Sequence, residues 1–470
     1  MRSCWLEEAL SERVEDTPPV AGDLKADICI VGGGYLGLWT ALRLKEREPS
    51  LDVAIVEGDI CGGGASGRNG GIVASWWAKF NSLQKLCVTD EAVRLATASA
   101  NAVSEIGAFC QAHEIDAHYR NDGWLWTATS AAQDGSWQAL LDHLARHQLH
   151  PFEEWPPEQV ARRAGSARHL SGVFEPIGAT VQPALLARGL RRVAMAKGVR
   201  IYEHSPMKRL KRSSPPRVIT KRGSVTAEKV ITAMNAWAAA LPELRRSIVV
   251  VSSDIVATEP TPARLAQAGW DNGMAISDSR MLLNYYRTTL DGRIAFGTGG
   301  GLLSFGNKVD ERFEGASRRA GEVERFQRRL YPDFDDVPVA KSWTGPIDRS
   351  VTGIPFFGRL DGRADLLYGL GFSGNGVGPT VVGGRIMASL ALESDDEWAG
   401  CGLVRDTVGQ FPREPFRYCG GRMVIAANRR KERLEDAGLK AGPLTRRLAA
   451  MAPAGLVPVK GVDAPAARAS

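Results

Sequence analysis

The chain has 470 residues, of which 44% are hydrophobic and 24% are charged, and its formal net charge is +6. This length exceeds what one hydrophobic core usually organises, so we expect two domains or one large discontinuous unit. The composition is that of an ordinary globular protein, and no uncharged run near 18 residues predicts a membrane-spanning helix.

The charge and cysteine patterns exclude several classes of site. The basic residues form short clusters without interleaved aromatic residues or zinc-finger spacing, so we do not expect nucleic-acid binding. The seven cysteines are scattered and never in CxxC spacing, which argues against a disulfide framework and against a metal site. The N-terminal residues are acidic and lack an apolar signal segment, so we expect a cytoplasmic protein.

The first predicted elements form a βαβ unit. Residues 27–31 are a short β-branched run typical of a buried parallel strand, and three glycines end it. Apolar residues then recur at helical spacing over residues 35–47. Residues 51–56 predict a second strand, which ends at Glu57.

The turn of this unit carries the pattern Gly32-x-Gly34-x-x-Gly37. The first glycine permits a tight turn, the second lets backbone N–H groups reach a pyrophosphate, and the third lets the helix pack on the strand. Glu57 is placed to bind ribose hydroxyls and disfavours the 2′-phosphate of NADP. The unit therefore predicts a ligand with an ADP moiety. The predicted binding residues here are Gly32, Gly34, Tyr35, Leu36, Gly37 and Glu57.

A second glycine-rich loop, residues 62–71, follows immediately. Its backbone donors, hydroxyl and cation suit a ligand that continues past the pyrophosphate toward a flavin, which favours FAD over NAD. A flexible surface loop is the alternative, and it would be an entropically costly use of so many glycines. The predicted FAD contacts are Ala65, Ser66, Arg68, Asn69, Gly70 and Gly71.

The central part of the chain alternates between two patterns. Helical periodicity over 89–113 and 183–197 and strand-like runs at 123–129, 199–203 and 230–233 continue the α/β alternation. His143 and His147 lie four residues apart on a predicted helix, but they lack an acidic partner and are interpreted as surface histidines. Strand-like runs at 248–258, 281–287 and 293–297 predict a mostly antiparallel sheet.

A third glycine cluster, residues 369–378, precedes a predicted helix over 380–392. Its N–H groups and the helix dipole would stabilise negative charge at N1 and the C2 oxygen of a reduced flavin, if the pyrimidine edge lies above them. An ordinary glycine turn before a helix is the competing interpretation.

These elements predict an α/β fold, α+β overall, with a discontinuous Rossmann-like FAD-binding domain and an interleaved, mostly antiparallel substrate domain. A C-terminal extension with an Ala- and Pro-rich mobile tail from Ala452 follows. The FAD-binding domain is assigned to 1–84, 168–246 and 337–400, the substrate domain to 85–167 and 247–336, and the extension to 401–470.

The three glycine clusters together resemble the D-amino acid oxidase (DAO) superfamily of FAD-dependent oxidoreductases, which includes glycine and sarcosine oxidases, and most of all the γ-glutamylputrescine oxidoreductase type. The resemblance is carried by VGGGYLGLWTALRL, VEGDICGGGASGRNGG, GVRIYEHSPM, TAMNAW, WTGPIDRSVTGIPFFG and GLGFSGNGVGPTVVGGR. It implies a backbone contact of Met207 with the adenine and flavin contacts from the loops at 65–71 and 374–377. The further FAD contacts assigned on this basis are Met207, Gly345, Gly371, Gly374, Asn375, Gly376 and Val377.

Some relatives hold FAD covalently through a histidine in the early loop or a cysteine in the later substrate-facing region. No histidine precedes His113 here, and no cysteine lies between Cys110 and Cys401. The sequence therefore predicts non-covalent FAD.

The predicted chemistry is oxidation of a small-molecule amine or amino acid, with hydride transfer to flavin N5 and hydrolysis of the resulting imine. Such oxidation needs little beyond a positioned C–H bond and exclusion of water. Oxidase and dehydrogenase both stay open, with O₂ as the acceptor in the first case. Rival functions are a flavoprotein monooxygenase, an NAD-dependent dehydrogenase and a non-catalytic flavin-binding scaffold.

Four residues are the candidates for the substrate side. Alternation along a strand puts Tyr285 and Arg287 on one face and Tyr286 on the other, so not all three can face the flavin. Tyr286 is favoured, and Arg287 is held for an anionic substrate. Trp343 lies shortly before Gly345. Lys341 lies on the same strand face as Trp343 and could assist oxygen reduction. Core packing of the tyrosines and a solvated Lys341 are the alternatives.

Overall fold

The computed structural model describes residues 2–11, 17–405 and 409–453. The helices are α1 (Cys4–Ala9), α2 (Tyr35–Arg47), α3 (Phe80–Gln84), α4 (Thr89–Ala112), α5 (Gln138–Arg146), α6 (Pro157–Arg163), α7 (Pro183–Ala196), α8 (Pro262–Gln267), α9 (Ala320–Leu330), α10 (Pro379–Ala391), α11 (Phe416–Asp436) and α12 (Pro443–Ala449). No helix within the described residues is long and apolar enough to cross a bilayer.

Within the described ranges, eighteen strands form two eight-stranded sheets and one two-stranded ribbon. They are β1 (Gly22–Val31), β2 (Val53–Val56), β3 (Ile72–Val73), β4 (Trp124–Ala128), β5 (Glu153–Trp155), β6 (Ser171–Glu175), β7 (Ala179–Thr180), β8 (Arg200–Tyr202), β9 (Arg209–Lys211), β10 (Arg217–Ile219), β11 (Gly223–Thr232), β12 (Ile248–Thr258), β13 (Ala275–Asp278), β14 (Asn284–Thr288), β15 (Ile294–Thr298), β16 (Val339–Ser350), β17 (Phe356–Arg359) and β18 (Leu366–Leu370).

Six strands of the first sheet have the order β17-β18-β11-β1-β2-β8, and β10 pairs antiparallel with β11 and with β9 to complete it. The strands from β18 to β8 are parallel, and β17 is antiparallel at one edge. β2 is fully buried, as a sheet covered on both faces requires. Helix α2 packs against both α7 and α10 over this sheet. The predicted βαβ unit is therefore present, with α2 over the predicted residues.

The second sheet has the order β16-β12-β15-β14-β13-β4-β6-β5. All of its neighbouring strands are antiparallel except β13 and β4, so the mostly antiparallel prediction is confirmed. The strand predicted over 281–287 begins only at Asn284. Asp278 accepts hydrogen bonds from the backbone N–H groups of Arg280 and Asn284, which makes the residues between them a loop.

The two sheets draw their strands from separate parts of the chain. β6 and β16 lie in ranges assigned to the FAD-binding domain, but both pair in the second sheet. The domain division itself stays a prediction. In the C-terminal extension, α11 and α12 pack against each other, and most of the tail predicted to be mobile, 454–470, lies outside the described residues.

Candidate active site

A cavity of about 510 Å³ lies between the two sheets and is lined by all three glycine clusters. Its volume is within the range usual for ligand and cofactor sites. The predicted cofactor-binding residues that line it are Gly32, Gly34, Tyr35, Leu36, Glu57, Ala65, Ser66, Arg68, Asn69, Gly70, Met207, Gly345, Gly374, Asn375, Gly376 and Val377.

The glycines of the first turn differ in what surrounds them. A Cβ on Gly32, whose φ is +114°, would lie 2.4 Å from the carbonyl oxygen of Ala233, and a Cβ on Gly37 would lie 2.0 Å from that of Gly32. Gly37 therefore serves helix packing and does not line the cavity. A Cβ on Gly34 would meet only the Ser66 hydroxyl, at 3.0 Å, so this backbone is open to a ligand.

Glu57 presents its carboxylate to the cavity at the end of β2. Its Oε2 accepts a hydrogen bond from Gly33 N at 2.6 Å, and its Oε1 accepts one from Asp59 N at 2.9 Å. Burial raises the pKa of Glu57, and these two N–H groups oppose the shift. Each carboxylate oxygen keeps a lone pair for a further donor, as ribose hydroxyls require.

The second glycine loop is held rigidly. Ser66 Oγ accepts from Tyr35 N at 2.9 Å, and Arg68 Nε donates to the Gly63 carbonyl at 2.9 Å. Asn69 Oδ1 accepts from Gly71 N at 2.7 Å. These bonds exclude the flexible-loop alternative. Gly71 does not line the cavity. A Cβ on Gly71 would lie 2.0 Å from the carbonyl oxygen of Val181.

The third glycine cluster is fastened by Asp348, a residue that the sequence did not identify. Its carboxylate accepts from Gly371 N at 2.5 Å and from Ser373 N at 3.4 Å, and burial raises its pKa to about 6. Gly371 thus turns away from the cavity lining. Asn375 Nδ2 donates to the carbonyl of Ser75 at 3.2 Å, which ties this cluster to the segment after the second loop.

The four substrate-side candidates all lie outside the cavity lining. Tyr286 is 1% exposed, stacks on Phe296 and shares a hydrogen bond of 2.7 Å with His169 Nε2. Tyr286 therefore belongs to the core beneath the second sheet, and the predicted assignment is wrong by one residue. Tyr285, on the opposite face of β14, lines the cavity.

The other two positions on β16 are structural as well. Trp343 is fully buried and donates from Nε1 to the carbonyl of Arg68 at 2.9 Å, so it supports the second glycine loop from behind. Lys341 forms an ion pair with Glu7 at the surface. These contacts place Lys341 away from any ligand in the cavity, in accord with the solvated alternative.

Arg287 lies behind the second loop. It is 2% exposed and donates to the carbonyls of Gly70 at 2.8 Å and Val181 at 2.6 Å, with its guanidinium over the ring of Trp5. Burial lowers its pKa to about 9. Its hydrogen bonds tie the loop to the chain before α7, which is a positioning role.

The Arg287→Met variant tests this role. It leaves the two buried carbonyls without their donor, so the free energy of unfolding should fall by about 3 kcal/mol in urea titrations. KM should change alike for anionic and neutral substrates. A variant that keeps full stability and weakens only anionic substrates would place Arg287 in the pocket after all.

The side of the cavity formed by the second sheet carries two hydrogen-bonded pairs. Trp124 Nε1 donates to Ser277 Oγ at 3.1 Å, and Tyr285 shares a hydrogen bond of 2.7 Å with Ser253 Oγ. All four side chains line the cavity. They give it an aromatic wall with fixed polar groups.

Two cations that were not predicted from the sequence also line the cavity: Lys79, which is buried, and Arg349, which is half-buried. Lys79 is 4% exposed, and burial, with a contribution from Arg349, lowers its pKa to about 7. Burial lowers the pKa of Arg349 to about 10. Lys79 donates to the Gly353 carbonyl. The sequence feature that could have identified Lys79 is the occurrence of a lysine in the apolar run directly after the second loop.

The profile of the DAO family, described as FAD dependent oxidoreductase, matches residues 27–390. The chain belongs to the DAO family. It is 30% identical over 408 residues to the γ-glutamylputrescine oxidoreductase of Escherichia coli (strain K12), which covers 85% of this chain and 89% of that protein. It is 24% identical over 383 residues to the glycine oxidase of Geobacillus kaustophilus (strain HTA426), covering 77% and 92% of the two chains.

The crystal structure of glycine oxidase from Geobacillus kaustophilus has the same fold, with a TM-score of 0.65 and 20% identity over 82% of this chain and 100% of that one. The predicted α/β fold, membership of the DAO family and FAD as the cofactor are confirmed. Oxidation of amines or amino acids, as a reaction class, is confirmed as well.

The residues of the cavity fit FAD. The open backbone at Gly34 and the carboxylate of Glu57 suit the pyrophosphate and ribose of this DAO cofactor. Asn235 Oδ1 is buried, belongs to a residue lining the same cavity and has no hydrogen-bond partner among the described residues, as expected where a ligand completes the bonding.

Proposed function

We propose that this protein oxidises the carbon–nitrogen bond of an amine that also carries a carboxylate remote from the reacting carbon. The observation that carries this proposal is the buried cation Lys79, together with the half-buried cation Arg349, in a cavity that also holds the FAD fingerprint. A similar protein in Escherichia coli is named for γ-glutamylputrescine, an amine of this kind.

The cofactor contacts follow from the cavity lining. We assign Glu57 to the adenosine ribose, the N–H groups after Gly32 to the pyrophosphate, and residues 374–377 to the pyrimidine edge of the flavin. When bound, FAD supplies the hydride acceptor, and the substrate leaves as an imine that water converts to a carbonyl compound. The chain's own residues orient the amine and exclude water from it.

The substrate contacts are assigned to the side formed by the second sheet. Trp124 and Tyr285 provide aromatic surface for the carbon chain and for an ammonium group. Lys79 supports the proposed carboxylate contact because a buried cation gains most from an anion in the same low-dielectric space. The carboxylate acting on its pKa, Asp348, is already hydrogen-bonded to the third glycine cluster.

FAD is proposed to be non-covalent, because the described residues that line the cavity include no cysteine and no histidine. Acid precipitation of the purified protein should leave the yellow colour in the supernatant. Colour that stays with the pellet would overturn this prediction.

Matched pairs of amines test the substrate class. The amine with a remote carboxylate should give a kcat/KM at least tenfold above that of its neutral amide counterpart, in assays with oxygen and with a dye as acceptor. Equal values for the two would contradict the proposed carboxylate contact. Turnover with the dye alone would identify a dehydrogenase, and oxygen consumption would identify an oxidase.

A further inference from the structure

A buried carboxyl group reaches the cavity through one hydroxyl. Glu175, the last residue of β6, is 1% exposed, and its Oε1 accepts a hydrogen bond from Ser75 Oγ. Ser75 and Lys79 both line the cavity, and Glu175 pairs in register with Trp124, which also lines it. Ser75 and Glu175 are called the dyad below.

The hydrogen bonding of the Glu175 carboxyl group is only half satisfied within the dyad. Glu175 Oε2 is buried and has no hydrogen-bond partner among the described residues, which is costly for a group that serves only packing. Ser75 is firmly placed, because its Oγ accepts from Trp77 N at 3.0 Å and its carbonyl accepts from Asn375. The hydroxyl is thus held between the cavity and the carboxyl group.

No carboxylate among the described residues that line the cavity belongs to the segment of Ser75. The carboxylates among the described lining residues are Glu57, Asp59 and Glu314. The first two follow β2, and Glu314 acts on Arg68 of the second glycine loop. An amine enters as an ammonium ion at neutral pH, whereas hydride transfer requires the neutral amine. A proton acceptor near the reacting nitrogen is therefore needed.

We propose that Glu175, acting through Ser75, is the proton acceptor for the substrate ammonium. The ammonium N–H passes its proton to Ser75 Oγ, and the hydroxyl proton of Ser75 moves to Glu175 Oε1. The nitrogen regains its lone pair, and the carboxylate becomes a neutral acid. The inference rests on the proposed amine oxidation and adds the group that activates the substrate.

The electrostatics of Glu175 suit this step. Burial raises its pKa to about 7, and the bond from Ser75 opposes the shift. The carboxyl is therefore ionised and able to accept a proton above about pH 7. Lys79 and Arg349 line the same cavity as Ser75, and Lys79, whose pKa is also about 7, is the rival acceptor.

The test is anaerobic reduction of the bound flavin by a substrate amine. The reduction rate is measured by stopped-flow absorbance from pH 6 to 10. In the wild type, the reduction rate should rise through about pH 7 and then level. In Glu175→Gln, the rate at pH 8 should fall by about 10²-fold. The rate of this variant should then rise tenfold per pH unit up to the amine's own pKa of about 10, because only neutral amine from solution reacts.

Controls separate this role from a structural one. The Ser75→Ala variant should show the same pH-dependent loss, and it carries the test if Glu175→Gln retains no FAD. Glu154→Gln, an exposed position on the neighbouring strand β5, should match the wild type. In Lys79→Met, the flavin reduction rate should still rise near pH 7, as in the wild type.

Two results would overturn the proposal. One is an unchanged reduction rate at pH 8 in both dyad variants. The other is a loss that stays constant from pH 6 to 10, which a merely structural role produces. Failure of the wild-type flavin to bleach with any amine would instead contradict the proposed function.

Discussion

The Gly34→Val variant should fold and purify without colour. Gly34 lies at the start of α2, where a ligand's pyrophosphate would meet the backbone, and the isopropyl group would fill that space. Apart from its chain neighbours, the one atom of the described residues within 4 Å of a Cβ on Gly34 is the hydroxyl oxygen of Ser66. Loss of FAD, measured as the ratio of flavin to protein absorbance, should therefore be nearly complete, while the far-ultraviolet circular dichroism stays native.

The matched control is Gly420→Val on α11, where a Cβ meets nothing within 4 Å. This variant should keep its full FAD content. A yellow Gly34→Val protein would show that the cofactor does not approach this turn, and the assignment of the cavity to FAD would fail.

The Lys79→Met variant should lose its preference for amines that carry a carboxylate. Removing one partner of a buried charge pair costs about 3 kcal/mol, so kcat/KM for these substrates should fall by about 10²-fold. Neutral amines should react within about threefold of the wild type, because methionine keeps the volume of the side chain. Steady-state kinetics on the matched amine pairs measures both effects.

The pH dependence of KM gives an independent check on Lys79. Its pKa of about 7 means that the free enzyme loses this cation as the pH rises above 7, so KM for anionic amines should increase there. The variant should lack this increase. The unfolded chain binds the Lys79 proton below about pH 10.4, whereas the folded chain binds it only below about pH 7. The destabilisation therefore grows as the pH falls toward 7 and is complete below it, so Lys79→Met should raise the melting temperature at pH 6.

The control for Lys79 is Lys85→Met, an exposed position in the same region. It should change neither kinetics nor stability. If Lys79→Met slows neutral and anionic amines equally, Lys79 contacts the cofactor or the loop, and the proposed carboxylate contact is wrong.

The cofactor half of the fold could be predicted because its signals are local. The run before Gly32, the helix from Tyr35 and the acidic Glu57 lie within one short βαβ unit, and α2 occupies the predicted residues. The steric demand on Gly37 comes from Gly32 in the same turn, whereas that on Gly32 comes from Ala233, which is distant in the chain. The glycine spacing of the turn and the position of Glu57 are nevertheless local. Sequence spacing alone contains that information.

The substrate side could not be predicted in the same way. Whether Tyr285 or Tyr286 faces the cavity depends on the register of β14, and a shift of one residue exchanges the two faces. Asp348, Lys79 and Glu175 reach the site only because distant segments pack together. Glu175, for example, meets Ser75 from a position 100 residues away in the chain.

Arg287 illustrates a further limit of predicting site residues from the sequence. A basic residue on a predicted substrate strand suggests an anion site, but its partners are the carbonyls of Gly70 and Val181. Backbone acceptors carry no sequence signature, so a buried arginine that holds a loop resembles one that binds a substrate. Only the folded structure separates the two.

Anaerobic addition of amines to the purified yellow protein tests the central claim most directly. A carboxylate-bearing amine should bleach the oxidised flavin band, with one carbonyl product formed per flavin reduced. A protein that binds no flavin, or whose flavin no amine or amino acid reduces, would contradict the account.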